Sequence, residues 1–138
     1  MPETPPSGAA EARRWLAQAR HDLADAQLLA GADRHAPACF LAHQCAEKAV
    51  TAFLLERGAE LVWGHALADL CQDAVALEPA FEAIRPLAIL LDKHYLGARY
   101  PSALPGGVPA EAYDTTDAGR ALDIATDVLD FVQVRVES

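Results

Sequence analysis

The residues best equipped for chemistry begin with Arg99, Tyr100 and Pro101. An arginine guanidinium can donate a fork of hydrogen bonds to a phosphate, and a tyrosine beside it can stack on a base. The same triplet also suits a helix end: Arg99 complements the C-terminal carbonyls, Tyr100 anchors the following loop and Pro101 stops the helix. A second group is Gln44, Glu47 and Lys48, whose spacing places them on one side of a helix. There Lys48 can attract phosphate as a point charge, or Glu47 and Lys48 can pair with neighbouring helices and fix their register. His65 has the ordinary imidazole range for an acid or base, although a histidine just before a helix also orders loops. His94 lies close to Arg99 in sequence and is the histidine nearest to it.

Other pairings carry less. His43 with Glu47, and His21 with Asp25, stand at i and i+4. Two ligands do not make a metal site, so no metal is expected. Ser102, Thr115 and Thr116 have no base at the spacing of a hydrolase triad. Gly106-Gly107 follows no strand and lacks the lysine of a phosphate loop. No cofactor is expected.

Composition narrows the function classes. The chain has 138 residues, 52% hydrophobic, with a formal net charge of −9. Its length suits one domain. The acidic surface repels phosphate backbones and anionic lipid, which argues against broad nucleic-acid coating and leaves room for a local basic spot. Only Lys48 and Lys93 are lysines. No apolar run of about 18 residues is present to span a membrane, and the Pro-rich Met1–Gly8 stretch lacks the pattern of a signal peptide. Cys39 and Cys45 stand about 9 Å apart along one helix at about 1.5 Å per residue, too far for a disulfide. Free buried thiols in a reducing cytoplasm are expected.

These residues need elements to hold them. Alanine and leucine dominate and strand formers are few, which points to an all-α fold. Residues 1–8 read as a disordered lead. Leu16, Ala19, Leu23, Ala26 and Ala30 then step by three and four along a first helix over Ala9–Ala30, with Arg13, Arg20, Asp25 and Gln27 outward. Gly31 to Pro37 is a break. A second helix spans Pro37–Arg57 and ends at Gly58. Its polar residues His43, Gln44, Glu47, Lys48 and Thr51 occupy one arc of roughly 140°. So apolar a helix needs cover on most sides, which suggests self-association.

Gly64-His65 leads to a third helix ending near Leu77. A fourth segment starts at Glu78-Pro79, with a new helix over Pro86–Ala98 whose inner stripe is Leu87, Leu90, Leu91 and Tyr95. Tyr100–Asp114 is a long loop of the kind that often carries function. A last helix spans Thr116–Val136, with Ala118, Leu122, Ala125, Leu129 and Val132 inward. The expectation is an antiparallel bundle of about five helices over residues 9–138.

Several segments together resemble the HEPN domain family. Trp15, Ala19, Asp22, Leu23 and Ala26 are similar to its W-x3-A-x2-D-L-x2-A opening. Gln44-Cys45-Ala46-Glu47-Lys48-Ala49 resembles Q-x-A-E-K-A, and His65-Ala66-Leu67 resembles H-x-L. Tyr95 with Arg99-Tyr100-Pro101 resembles Y-x3-R-Y-P, and Tyr113 with Asp117-Ala118 completes the order. The resemblance implies a bundle that commonly pairs as a homodimer. It implies nucleotide or RNA ligands and, often, a minimal nucleotidyltransferase encoded alongside as partner in a toxin–antitoxin pair. Gln44, Glu47, Lys48, His65, His94, Arg99 and Tyr100 are then the candidates for holding nucleotide or phosphate. Other members are metal-independent endoribonucleases with an R-x4–6-H motif. Counting from Arg99, that histidine should stand where this chain has Leu104, Pro105 and Gly106. The chain therefore resembles the R-Y-P-bearing branch more than the nuclease branch.

Overall fold

The structure, a computed structural model, describes residues 8–59 and 66–136. Helix α1 covers Gly8–Gly31, α2 His35–Glu56, α3 Leu67–Leu77 and α7 Thr115–Val136, with short helices α4 Arg85–Ala88, α5 His94–Gly97 and α6 Pro109–Ala112 between them. Three further 3-10 turns cover Pro79–Ala83, Ile89–Leu91 and Pro101–Ala103. No strand occurs among the described residues, as the composition predicts. None of their helices is long and apolar enough to cross a membrane.

Local chemistry sets the ends. Gly8, assigned to the lead by sequence, opens α1 instead, and residues 1–7 lie outside the described set. The break after α1 is shorter than expected because Asp33 takes the left-handed conformation at φ 61°, which aspartate tolerates, so α2 starts at His35. The second helix ends as expected on Gly58, at φ 102°. Gly58 N donates to Leu55 O at 3.1 Å and Ala59 N to Leu54 O at 3.0 Å, the paired bonds of a Schellman cap. At the start of α7, Asp117 N donates to the Asp114 carboxylate at 2.9 Å, and Asp114 N donates back to Asp117 at 3.0 Å. Two otherwise orphaned donors are satisfied reciprocally.

The core lies where α1, α2 and α7 pack together, with α3 and the 79–98 segment closing one side. Small residues Ala38, Ala42, Ala46 and Ala49 of α2 are fully buried. They permit close helix approach, so the bundle itself covers most of the apolar helix. Only Phe40, Leu41, Gln44, Glu47, Lys48 and Leu55 remain as a half-buried strip along α2 between its ends. Phe81 packs 4.6 Å from Phe53 and 4.8 Å from Phe131, centroid to centroid, joining three segments.

Two expected stripes change. In α1 the inward position near its middle belongs to Asp22, with Leu23 half-buried. A short 3-10 turn follows Pro79, in line with the interruption expected before Pro86, but from Arg85 to Gly97 the chain alternates α and 3-10 turns rather than forming the one helix expected over Pro86–Ala98. Each change of pitch shifts the phase of the side chains. Phe81, Ile84, Ala88, Leu91 and His94 therefore face inward, while Leu87, Leu90 and Tyr95, expected inside, are exposed.

Candidate functional site

The most developed constellation is built around Arg99. It follows α5, and its Nε donates to the Tyr95 carbonyl at 2.9 Å, the helix-end role read from sequence. The guanidinium is also packed against aromatic faces. Its central carbon lies 4.4 Å from the Phe40 ring centroid, 4.8 Å from Tyr95 and 5.0 Å from Tyr100. Cation–π attraction holds the group in place while it remains exposed to solvent. With Nε used, the terminal nitrogens form no ion pair with a carboxylate of the described residues. Tyr95 and Tyr100 are each 48% exposed, so their outer faces are open to a planar ligand.

A buried layer lies behind this platform. The His43 ring stands 5.8 Å from that of Tyr95 and is only 2% exposed. Its Nε2 is 3.3 Å from Asp92 Oδ1, which puts the proton on Nε2 and leaves Nδ1 to accept from Gln44 at 3.4 Å. Burial is the main cause that lowers the His43 pKa; the Asp92 bond opposes it and the Arg99 charge adds to it. His43 is therefore neutral near pH 7. The Asp92 carboxylate has a second task. It accepts from Leu67 N at 2.7 Å and Ala68 N at 3.1 Å, capping α3 from 25 residues away. The chain of contacts runs from Arg99 through Tyr95, His43 and Asp92 to the start of α3.

The other candidates disperse. Glu47 approaches His43 Nδ1 at 3.8 Å, on the same side as Gln44. Lys48 stands eight residues past Phe40, about 12 Å along α2 at about 1.5 Å per residue. Its ammonium is 2.5 Å from the buried Asp22 carboxylate, which also accepts from Gln18 at 2.8 Å. This is the register-setting role. Lys48 also edges an open groove of about 640 Å³ that includes Trp15, Gln18 and His21, so it does not join the Arg99 platform. His94 is 4% exposed and bonds Tyr113 through Nδ1 at 3.2 Å. Burial, followed by the neighbouring Lys93 charge, pushes its pKa down to about 4. It faces inward and cannot serve a ligand on Arg99. His65 lies outside the described residues.

Among the described residues no three His, Cys, Asp or Glu side chains converge on a metal position. Cys39, Cys45 and Cys71 are buried free thiols, and burial pushes each pKa up to about 12. They are protonated and poor nucleophiles.

Sequence reasoning left out of this site Phe40, Tyr95 (grouped with Arg99 in the Y-x3-R-Y-P resemblance but expected to face inward) and Asp92. A signal existed for the first two. Tyr95 is four residues before Arg99, and Phe40 falls inside the arc occupied by His43, Gln44 and Glu47. Asp92 had none, because its partners are distant in sequence.

Comparison with known proteins places this geometry in context. The HEPN domain model matches residues 12–135. The solved structure of TT1696 from Thermus thermophilus is similar at 42% identity, over 89% of this chain and 96% of that one, with a TM-score of 0.80. ST0689, an archaeal HEPN homologue, is 34% identical over 91% and 97% of the two chains, TM-score 0.75. An HEPN domain protein of Thermotoga maritima, TM0613, is 27% identical over 90% and 98%, TM-score 0.72. No curated protein matches the chain.

Proposed function

The chain belongs to the HEPN domain family, and from that premise we propose that it is an interaction module that binds nucleotide or RNA phosphate on the Arg99 platform. It works as a homodimer with a minimal nucleotidyltransferase, in a toxin–antitoxin pair of the R-Y-P-bearing branch. The observation that carries the binding reading is the state of Arg99. In a chain of net charge −9, this guanidinium is held by three aromatic rings, and its terminal nitrogens have no carboxylate partner among the described residues. A group so held has little freedom left to lose, and a phosphate oxygen can take both nitrogens at once. Exposed Tyr95 and Tyr100 add faces on which bases stack.

Binding is favoured over cleavage by the histidines. A metal-free ribonuclease needs an acid–base group in reach of the 2′-hydroxyl. His43 and His94 are enclosed and engaged with Asp92 and Tyr113. RNA incubated with the purified protein and a chelator is expected to stay intact; cleavage that disappears in Arg99→Ala would restore the endoribonuclease reading.

The direct test is a thermal-shift and calorimetric titration with nucleotides and a short single-stranded RNA, on the wild type and on Arg99→Ala. Stabilisation of the wild type and not the variant is expected. With few phosphates neutralised, affinity should fall as salt rises, with a shallow slope. Equal stabilisation of both proteins, or affinity indifferent to salt, removes phosphate contact at Arg99 from the account.

A further inference from the structure

A second, smaller recess lies away from the Arg99 platform, where the Ile89–Leu91 turn and α5 meet the first turns of α7. Its volume is about 80 Å³. That equals two or three water molecules at about 30 Å³ each, the room taken by a branched alkyl end. Leu91, Ala121 and Ile124 make an apolar floor, and Leu90, 38% exposed, forms a wall. Lys93, Arg120 and Asp117 stand around it. The Asp117 carboxylate is already engaged by Asp114 N at 3.0 Å. Neither Lys93 nor Arg120 forms an ion pair or hydrogen bond with a side chain among the described residues. Unpaired cations flanking an apolar slot are unexpected on so acidic a chain, where carboxylates outnumber them.

We propose that this recess is a binding site for a branched aliphatic group that carries a carboxylate. The alkyl end fills the slot over Leu91, Ala121 and Ile124, and the carboxylate lies between Lys93 and Arg120, where Arg120 can bind it with two parallel hydrogen bonds. Each half complements the other. A carboxylate alone would gain little from two exposed cations, and an alkyl group alone would gain little from so small a slot. A free short-chain acid and the terminal residue of a protein ending in leucine offer the same chemistry.

The experiment follows amide chemical shifts of the labelled full chain during titration with 4-methylpentanoate, 4-methylpentanamide, acetate, and the peptide Gly-Ser-Gly-Ser-Leu with a free or an amidated end. Saturable shifts confined to Leu90–His94 and Asp117–Ile124 are expected with the branched acid and the free peptide. The two amides and acetate should bind at least tenfold more weakly. Lys93→Gln and Arg120→Gln, both at exposed positions, should each weaken the branched acid several-fold, and Arg99→Ala should leave it unchanged, which separates this site from the nucleotide reading. A tighter free peptide assigns the site to a chain terminus, and equal affinity assigns it to a free acid. No saturable shift in these segments, or equal binding of acid and amide, overturns the proposal.

Discussion

Asp92 shows how much one side chain can organise. Its carboxylate holds the first two donors of α3 and the imidazole that supports the Arg99 platform. Asp92→Ala leaves these donors without a partner at the price of about 2–3 kcal/mol. Urea unfolding should show that loss, and hydrogen exchange should show the amides of Leu67 and Ala68 exchanging fastest among those of α3. If stability is unchanged, water replaces the carboxylate and the cap has no net value. Arg99 was singled out from sequence in two roles, phosphate ligand and helix-end donor, and its bond to the Tyr95 carbonyl matches the second. Its aromatic enclosure was half legible, through spacings of three and four. The Asp92 connection was not, since local periodicity carries no information about partners 25 and 49 residues away.

At the scale of elements, helices long enough to repeat their pattern were readable and short ones were not. Helix α7 matches the sequence reading within a residue at its start, and α2 ends at the glycine that the sequence marks. The helix expected over Pro86–Ala98 failed because an apolar spacing of three and four fits several phases, and turns of changing pitch select one that no single-helix reading contains. The glycines make a prediction here. A Cβ at Gly8 would stand 2.5 Å from the Leu55 carbonyl oxygen, where α1 crosses the end of α2, whereas one at Gly58 would meet no atom but would strain a left-handed backbone. Gly58→Ala should cost about 1 kcal/mol. Gly8→Ala should cost more than a helix-favouring substitution in open space, which would add stability. A rise in melting temperature for Gly8→Ala would mean that the first turn of α1 gives way freely.

For the whole molecule, the all-α class followed directly from composition, and the order of packing did not. Its dependence on pH follows from two buried histidines. Both have folded pKa values below the usual 6.5, so the fold keeps them neutral while the unfolded chain takes up protons. Stability is therefore full above about pH 6.5 and falls as pH drops through that value. For His94 the loss levels off near its folded pKa of about 4. That shift alone corresponds to about 3 kcal/mol between these limits. Denaturant unfolding at pH 7 and pH 5 spans only part of that range and should differ by at most about 2 kcal/mol from His94, and His94→Asn should flatten the difference. An unaltered pH profile in the variant would mean that His94 is charged within the fold.

The three enclosed cysteines give the protein an internal clock. A thiol with no exposed surface and a pKa near 12 is closed to a disulfide reagent at neutral pH until its helix opens. Labelling rates thus time the breathing of each helix without any added probe. Cys71 rides on α3, the shortest of the four main helices, whose start is tied to Asp92. Cys39 and Cys45 sit in the most enclosed helix. Modification should therefore reach Cys71 first, and cutting the Asp92 tether should quicken that event while the two α2 thiols keep their pace.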